Sequence, residues 1–382
     1  MPAQRFDIFC KVVDNYGDAG VCWRLARQLV REHGTAVTLW IDALGSLVRI
    51  APDLHPALQD QTHADVRVRV WGEPFPAVEL PDVVVEGFGC GLPHRYIEAM
   101  VAAPWAPVWI NLEYLSAEPW VESAHALPSP QPLLPLTRHF FFPGFTEATG
   151  GLLREAGLLA ARDAAQAQRA ERVSMLRALV GSSTADNALA VSMFCYSNPA
   201  LPALLDIWVE GDEPVLCLVP EGVAAAALDA WTGGAVPHAR QSLVHGPLTL
   251  AMLPFVAQDD YDRVLWQCDA NFVRGEDSFI RAQWAARPFA WHIYPQADDT
   301  HRVKLDEFLR RFQAGMDKGL ADSLTRFWHA WNDGDGPATA AAWPEFRAAF
   351  PLLARRGKAW SRRLAELPDL ATRLVRFAED RL

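Results

Sequence analysis

Short apolar runs alternate with amphipathic stretches along the first part of the chain. The apolar runs have the length and composition of buried strands, and two of the stretches between them carry apolar residues at helical spacing. The predicted strands are Phe6–Val13, Ala36–Ile41, Val66–Val70, Asp82–Glu86 and Val108–Leu112, and the predicted helices are Val21–Glu32 and His94–Val101. Such an alternation predicts a mainly parallel sheet covered by helices.

The alternation begins again after an alanine-rich stretch at 152–180 that is typical of a helix. Strands are then predicted at Leu189–Tyr196, Val215–Val219, Thr249–Leu253, Ala270–Val273 and Phe289–Tyr294. The sequence therefore predicts an α/β protein with two Rossmann-like domains that face each other across a cleft. Their predicted bounds are residues 1–180 and residues 181–354.

The last segment, residues 355–382, is amphipathic. Its apolar residues recur at roughly helical spacing: Trp360, Leu364, Leu367, Leu370, Leu374, Val375 and Phe377. A helix with this pattern buries its apolar face. We expect it to pack back on the N-terminal domain and to join the second half of the chain to the first.

Composition indicates a globular chain. It has 382 residues, of which 51% are hydrophobic, and this is enough for two domains with their own cores. The formal net charge of −11 argues against sequence-independent binding of nucleic acid. The N-terminus has no basic segment before a long apolar region, and no run reaches the ~18 apolar residues of a membrane span. We expect neither a nucleic-acid nor a membrane partner.

Cysteines and histidines are scattered rather than clustered. The six cysteines include no C-x-x-C pair and lie mostly in apolar runs, as in reduced cytosolic proteins. The eleven histidines form no His-x-x-x-His pair or other group at the spacing of metal ligands. We therefore expect a cytoplasmic protein without a bound metal.

The first predicted strand opens into a glycine-bearing loop with two carboxylates. The loop consists of Asp14, Asn15, Tyr16, Gly17 and Asp18, and an amphipathic helix follows it. Open α/β folds bind ligands at the carboxyl ends of their strands, where such a loop also offers free backbone N–H groups. We expect Asp14 and Asp18 to lie at a ligand site.

A second acidic, glycine-bearing loop follows the strand that starts at Ala270. Arg274, Glu276, Asp277 and Ser278 stand between this strand and a helix-compatible segment. Asp277 or Ser278 is a candidate helix N-cap, and Arg274 offers a planar cationic fork to a phosphate bound at the helix start. An ordinary ion-paired turn is the alternative. The occurrence of such a loop in both halves favours a two-domain transfer enzyme.

Several segments resemble one protein family. They are VVDNYGDAGVCWRLARQL, INLEYLSAEPW, HFFFPGF, SMFCYSN, NFVRGEDSFIRAQW and PFAWHIYPQ. Together they resemble the EarP family, the arginine rhamnosyltransferases that modify elongation factor P. The resemblance implies a GT-B glycosyltransferase that moves rhamnose from TDP-β-L-rhamnose to an arginine of elongation factor P, with inversion at the sugar and no metal or other cofactor. The modification would activate that factor for the rescue of ribosomes stalled on proline runs.

The resemblance also implies a set of site residues. Asp14, Asp18 and Glu276 match the essential acidic positions of the family. The residues expected to contact the donor are Asn15, Tyr16, Gly17, Phe194, Tyr196, Phe255, Gln258, Tyr261, Arg274, Asp277 and Ser278, with Tyr261 near the base. Without the resemblance, Phe194 and Tyr196 would be assigned to the core, because alternating aromatic residues in a strand usually pack there.

Two aspartates suit a guanidinium acceptor. The pKa of a guanidinium lies above about 12, so a carboxylate does not deprotonate it in the ground state. A pair of carboxylates can instead hold the planar fork, aim one nitrogen at the anomeric carbon and take the proton as the new bond forms. We favour Asp18 as the base and Asp14 as its orienting partner, and the reverse order stays open.

Two other functions fit the sequence. One is another GT-B-type nucleotide-sugar enzyme with a small-molecule acceptor. The other is a non-catalytic module that binds a nucleotide or elongation factor P, although the chain has both aspartates and an intact RGEDS block.

Two segments that could be taken for functional sites are expected to be structural. We expect His292 to be a core or edge histidine. We expect Gly87–Gly91 to be a compact turn because it lacks the full G-x-G-x-x-G spacing.

Overall fold

The fold is described from a computed structural model, in which residues 4–14, 16–180, 187–296 and 299–382 are described. Contacts within the chain divide it into two compact units. The first unit consists of Met1–Ala156 together with Leu364–Leu382, and the second unit is Gly157–Arg363.

The first unit contains a mainly parallel sheet with helices. Its elements up to residue 141 are β1 (Arg5–Cys10), α1 (Gly17–His33), β2 (Ala36–Ile41), α2 (Leu44–Ile50), β3 (Asp60–His63), β4 (Val66–Val70), β5 (Val83–Gly87), α3 (His94–Ala102), β6 (Val108–Leu112), α4 (Trp120–Ala124), β7 (Pro128–Pro130) and β8 (Thr137–Phe141). The strand order is β3-β4-β2-β1-β5-β6-β8-β7. The edge strands β3 and β7 are antiparallel to their neighbours. The central strands β5 and β6 are buried throughout, as expected for parallel strands covered on both faces.

An aromatic cluster holds the end of β1 in place. The ring of Phe9 stacks on Trp40 of β2 with centroids 5.8 Å apart, and it meets the edge of Tyr96 of α3 at 4.8 Å. All three side chains are buried. Since Phe9 is the penultimate residue of β1, this cluster fixes the point from which the acidic loop departs.

The first strand is shorter than predicted. It ends at Cys10 rather than Val13, because the chain then turns away from the sheet. The backbone N–H of Val12 donates to the side chain of Asp42 at 2.9 Å, and Val13 is 67% exposed. The edge strands β3 and β7 were not predicted, because their sequences DQTH and PSP contain no apolar run.

The second unit contains another parallel sheet. Its elements are α5 (Leu158–Ala167), α6 (Arg169–Val180), β9 (Leu189–Met193), α7 (Leu201–Glu210), β10 (Val215–Pro220), α8 (Ala225–Thr232), β11 (Ser242–His245), β12 (Leu248–Leu253), α9 (Gln258–Gln267), β13 (Ala270–Arg274), α10 (Asp277–Ala285), β14 (Phe289–His292), α11 (Thr300–Gln313), α12 (Lys318–Asp333), α13 (Gly336–Ala348) and α14 (Phe350–Ala365). The strand order is β11-β12-β10-β9-β13-β14, with β11 antiparallel at one edge. Both units therefore have the βα architecture that the sequence predicts.

The predicted domain boundary at residue 180 requires correction. The segment 157–180 belongs to the second unit, because α5 packs on α9 and is tied to this unit by polar side chains. Arg162 donates to the carbonyl of Trp284 at 2.7 Å and to the hydroxyl of Ser361 at 2.8 Å. Gln166 donates to the carbonyl of Ala285 at 2.8 Å. Hydrogen bonds between residues this far apart in the chain produce no local sequence pattern, so the boundary was not predicted.

The C-terminal segment contains parts of two helices rather than one. The helix α14 ends at Ala365, and α15 (Leu370–Glu379) begins after Pro368. The carboxylate of Asp369 caps α15 by accepting from the N–H of Thr372 at 3.0 Å, and it also accepts from Gln28 of α1 at 3.0 Å. Residues 364–382 belong to the first unit, and the predicted residues 355–363 belong to the second.

Two observations bear on the expected environment of the chain. In the described ranges, no helix combines the length and the apolar character needed to cross a membrane. All six cysteines lie in these ranges as free thiols, and five of them are buried.

Truncation of Leu374 in α15 is expected to destabilise the first unit. Leu374 is fully buried, and a Leu374→Ala substitution should lower the free energy of unfolding by about 2–5 kcal/mol, because it leaves a cavity under the helix. Urea-induced unfolding followed by circular dichroism measures this change. Leu133→Ala is the matched control, because Leu133 is 93% exposed. Equal effects of the two substitutions would contradict the packing described for α15.

Candidate functional site

The first sheet has its topological switch point beside β1. Strand β1 lies between β2 and β5, so the chain leaves it toward one side and later returns on the other. The loops after β1 and β5 diverge there and leave a crevice at the carboxyl ends of the strands, the usual ligand site of open α/β sheets. They carry Asp14 in the first loop and Gly87–Gly91 in the second.

Asp18 lies in the first turn of α1, not in the loop as predicted, because the helix begins at Gly17. Its carboxylate folds back over the preceding chain. One oxygen, Oδ2, accepts hydrogen bonds from the backbone N–H groups of Val13 and Asp14, both at 2.8 Å. The other oxygen, Oδ1, is 3.4 Å from the hydroxyl of Tyr114. The residue is 2% exposed. Asp18 therefore fixes the loop that contains Asp14.

Burial raises the pKa of the Asp18 carboxyl above its ordinary value. The backbone N–H groups of Asp14 and Val13 oppose this by stabilising the charged form, whereas the negative charge of Asp14 adds to the rise. The position of Asp18 at a helix N-terminus also favours the carboxylate. The balance leaves a carboxyl that takes up a proton more readily than an exposed aspartate does.

The carboxylate of Asp14 occupies space that only a glycine at position 17 provides. A Cβ atom at Gly17 would lie 2.7 Å from Asp14 Oδ2, so a side chain there would displace the carboxylate. The N–H of Gly17 donates to the carbonyl of Asp14 at 2.6 Å. Tyr16 stands immediately before α1, and Asn15 lies outside the described residues.

An aromatic pair borders the acidic residues. The rings of Phe88 and Tyr114 stack with centroids 4.5 Å apart, and Phe88 has a positive φ of 57°. Two hydrogen bonds hold this loop: the N–H of Gly89 donates to Asn111 Oδ1 at 3.0 Å, and the N–H of Gly91 donates to Glu86 Oε1 at 2.9 Å. Gly87–Gly91 thus forms a compact turn. Phe88 was not predicted as a site residue, because its partner Tyr114 is distant in the chain.

The second sheet repeats this arrangement beside β9. Strand β9 lies between β10 and β13, so the loops after β9 and β13 diverge at its switch point. Phe194 and Tyr196 follow β9, whereas Arg274, Glu276 and Asp277 stand at the junction of β13 with α10. The structure therefore brings the predicted donor residues of two distant segments to one sheet edge.

The guanidinium of Arg274 lies between two aromatic rings. Its central carbon is 4.7 Å from the ring centroid of Phe194 and 4.6 Å from that of Tyr196. Contacts of this kind are attractive because the ring faces carry negative potential. The backbone of Arg274 is fixed as well, since its N–H donates to Ser278 Oγ at 3.0 Å and its carbonyl accepts from the same hydroxyl. Arg274 is thus oriented by its neighbours.

The predicted N-cap of α10 is wrong. Glu276 occupies the N-cap position, and no side chain caps the helix there. Ser278 bonds to the backbone of Arg274 instead, and the carboxylate of Asp277 accepts from Gln258 Nε2 at 2.9 Å. These side chains stabilise the strand-to-helix turn from within. Neither is the cap, because the helix already begins at Asp277.

The remaining predicted donor residues surround this turn. Tyr261 of α9 packs its ring 5.5 Å from that of Phe194, and burial raises the pKa of its hydroxyl. Phe255 lies in the loop between β12 and α9. The region combines a guanidinium, aromatic faces and a helix N-terminus, a set that suits an anion joined to a planar ring.

His292 lines the back of this region as a neutral side chain. It is buried and meets the edge of Tyr196 with ring centroids 5.4 Å apart. Burial, with the nearby cation of Arg274, lowers the pKa of His292 to about 4. It is therefore uncharged near pH 7, in line with the expectation of a core or edge histidine.

No group of three or more His, Cys, Asp or Glu side chains that could hold a metal ion occurs in the part of the chain that the structure describes. A reaction without metal stays a prediction.

The fold and the two switch-point sites define a class of protein. A solved alpha-glucosyltransferase in complex with UDP and a 13-mer DNA has the same fold, with a TM-score of 0.53 at 8% identity over 98% of each chain. The two Rossmann-like units, one with an acidic site and the other with a site suited to a nucleotide, are those of a GT-B glycosyltransferase. The predicted α/β class with two Rossmann-like units is confirmed.

The chain belongs to the EarP family, described as the Elongation-Factor P (EF-P) rhamnosyltransferases, whose model matches residues 6–379. The protein-arginine rhamnosyltransferase of Pseudomonas putida is 48% identical over 99% of both chains. That of Pseudomonas aeruginosa is 48% identical over 98% of this chain and 99% of its own. A solved structure described as the structural basis for EarP-mediated arginine glycosylation of translation elongation factor EF-P matches with a TM-score of 0.71, at 36% identity, over 99% of this chain and 100% of that one. The resemblance seen in the sequence is confirmed.

The buried charge of Asp18 is expected to cost stability at neutral pH. Because the pKa of Asp18 is raised in the folded chain, wild type should lose stability as pH rises from the ordinary aspartate pKa to the raised one. Asp18→Asn keeps an oxygen for the N–H groups of Val13 and Asp14 but carries no charge. Its stability relative to wild type should therefore increase between pH 4 and pH 7, as measured by urea unfolding.

Asp53→Asn is the control for the loss of one negative charge, because the side chain of Asp53 is 80% exposed. A stability difference between Asp18→Asn and wild type that stays constant with pH, or shrinks as pH rises, would contradict the electrostatic description of Asp18.

Proposed function

We propose that this chain is a protein-arginine rhamnosyltransferase that transfers rhamnose from TDP-β-L-rhamnose to an arginine side chain of elongation factor P. The observation that carries the proposal is the match to the EarP family over residues 6–379. The two sites support it independently, since one offers carboxylates to a guanidinium and the other suits a nucleotide diphosphate.

We assign the donor to the switch-point site of the second unit. The nucleotide base packs among Phe194, Tyr196 and Tyr261, and Phe255 borders the same pocket. Arg274 and the N–H groups at the start of α10 stabilise the diphosphate. Gln258, Asp277 and Ser278 hold the turn that presents them. Glu276 contacts a sugar hydroxyl rather than the diphosphate, because two negative groups repel each other.

We assign the acceptor arginine to the acidic site of the first unit. The carboxylates of Asp14 and Asp18 hold the guanidinium and direct one nitrogen at the anomeric carbon. Tyr16 and Gly17 adjoin these carboxylates in the chain, and together with Asn15 we keep them in the set predicted to contact the donor. As the carbon–nitrogen bond forms, the bond from the anomeric carbon to the diphosphate oxygen breaks on the opposite side, which inverts the sugar.

The proton of the attacking nitrogen passes to Asp18 in this scheme. A guanidinium nitrogen becomes acidic only as it bonds to carbon, so transfer coincides with attack. The raised pKa of Asp18 suits a residue that accepts this proton. TDP leaves with its negative charge stabilised by Arg274 and the fixed N–H dipoles of α10, which requires no metal in this scheme.

We place the reaction in the cytoplasm. The acceptor named for the related structure is a translation elongation factor, and translation takes place there. Six free cysteines fit a reducing compartment. In this setting the modification would activate the factor on ribosomes stalled at proline runs.

Intact-mass analysis of elongation factor P tests the proposal. Incubation with this protein and TDP-rhamnose should add one deoxyhexose to the factor, at an arginine that fragmentation then locates. Asp18→Asn should reduce the rate by at least about 100-fold, because the proton acceptor is removed. Reactions without donor serve as the blank.

Two further measurements distinguish the proposed function from the two alternative functions. Transfer to free arginine as fast as to elongation factor P would indicate a small-molecule acceptor. Absence of transfer by folded wild type, with donor binding intact, would indicate a non-catalytic module. Full activity of Asp18→Asn would contradict the assigned base.

Replacement of Arg274 by lysine tests the donor site. The Arg274→Lys enzyme keeps the positive charge but loses the planar fork that lies between Phe194 and Tyr196. We expect the KM for TDP-rhamnose to rise about 10-fold, which corresponds to ~1.4 kcal/mol. The KM for elongation factor P should change little. Arg263→Lys, at a side chain 68% exposed, is the control. An unchanged donor KM in Arg274→Lys would refute the assignment.

A further inference from the structure

A cavity of about 470 Å³ opens at the amino ends of the strands of the second sheet. Its lining includes Leu189 at the start of β9, and Asp269 and Pro288 directly before β13 and β14. The helices α6, α13 and α14 complete the wall. The candidate donor site lies at the carboxyl ends of the same strands, so the two are at opposite edges of the sheet.

Arginines dominate the charge of this cavity. Arg169, Arg172, Arg287 and Arg347 line it, against the carboxylates of Asp269 and Glu213. The chain as a whole carries a formal net charge of −11. An excess of cations in a concave site of an acidic protein attracts anions locally.

The two carboxylates are already engaged by two of the arginines. Asp269 accepts from Arg172 at 2.5 Å and from the backbone N–H of Ala190 at 2.9 Å. Glu213 forms a two-point ion pair with Arg347, including a hydrogen bond of 2.8 Å from Nε. Little negative charge is left to balance the other two arginines.

Arg287 is the half-buried arginine of this cavity whose charge has no paired carboxylate among the described residues. Its Nε donates to the carbonyl of Trp266 at 3.1 Å. Within residues 4–14, 16–180, 187–296 and 299–382, its terminal nitrogens make no hydrogen bond, and it has no ion pair within 4.0 Å. The side chain is half-buried, and a guanidinium has five N–H donors to satisfy. The donors of Arg287 are thus available to a ligand.

The environment of Arg287 is unfavourable to its charge in the absence of an anion. Burial lowers its pKa, and the cations of Arg172 and Arg162 lower it further, although Asp269 acts in the opposite direction. An anion bound between these arginines would offset both the burial and the repulsion.

We infer that this cavity binds a small phosphorylated molecule, whose phosphate oxygens accept from Arg287 and from the free N–H groups of Arg169 and Arg172. Guanidinium forks match phosphate oxygens in two-point geometry. The volume lies in the range of small-molecule sites, which span about 300–1,000 Å³. The inference does not depend on the transfer reaction, since it uses none of the residues assigned to donor or acceptor.

Inorganic pyrophosphate is the probe for this site. Titration of the full chain with pyrophosphate should raise Tm in a concentration-dependent manner, because a ligand of the folded state stabilises it. Arg287→Gln should weaken the apparent affinity at least 10-fold. Arg169→Gln should weaken it several-fold, and it is the second variant because Arg169 is exposed and less involved in packing. Sodium chloride at equal ionic strength should not reproduce the effect.

Two control variants make the test specific. Arg310→Gln removes one positive charge from the same unit at a side chain 59% exposed, and it should bind pyrophosphate as wild type does. Arg274→Gln changes the candidate donor site and should keep the stabilisation that depends on Arg287. The inference is overturned if Arg274→Gln abolishes the shift while Arg287→Gln retains it, if Arg310→Gln weakens binding equally, or if sodium chloride gives the same shift.

Discussion

The carboxylate of Asp18 is the interaction on which the acidic site depends. It is buried, yet it accepts two backbone hydrogen bonds from Val13 and Asp14. These hydrogen bonds fix the backbone of the loop at Asp14, shortly after the end of β1. Gly17, which has no side chain, leaves room for the carboxylate of Asp14. The arrangement places two negative charges near each other, one on the buried Asp18 and one on the half-buried Asp14. This placement costs stability, and it prepares the site for a cation that neutralises them.

The topology of the sheets determines where the two candidate sites lie, and the side chains at each site determine its chemistry. In each sheet, the chain leaves one central strand toward one side and later returns on its other side. The loops diverge at this strand, so each sheet has one crevice at its carboxyl edge. In the first unit this crevice receives carboxylates, and in the second it receives Arg274 between aromatic rings. In the proposed function, one type of scaffold thus serves a cationic acceptor and an anionic donor, because a fold does not by itself set the function.

Sequence predicted those parts of the structure that depend on local pattern. Asp14 and Arg274 were found because each follows an apolar strand and precedes a helix. The contact of Tyr114 with Asp18 was not predicted, because 96 residues separate the two in the chain. The boundary between the two units after residue 156 was not predicted either. The hydrogen bonds that tie the next segment to the second unit run from Arg162 to Trp284 and Ser361, which are far away in the chain. Tertiary contacts of this length produce no periodicity in the sequence.

The two edges of the second sheet carry arginines in different surroundings, and this difference implies different selectivity. At the carboxyl edge, Arg274 lies against the rings of Phe194 and Tyr196, so a ligand that carries a planar base gains from packing as well as charge. At the amino edge, Arg287 contacts no aromatic ring within the described ranges, and the one ring in the cavity lining, Phe350, lies against Arg347 at 5.2 Å. A ligand there is chosen by its charge and by the geometry of its oxygens. A simple phosphate compound has no ring to pack against Phe194 and Tyr196. It therefore gains no more at the carboxyl edge than at the amino edge. Under the two proposals, the aromatic pair therefore favours a nucleotide at the carboxyl edge, whereas the arginines of the amino edge accept phosphates of other kinds.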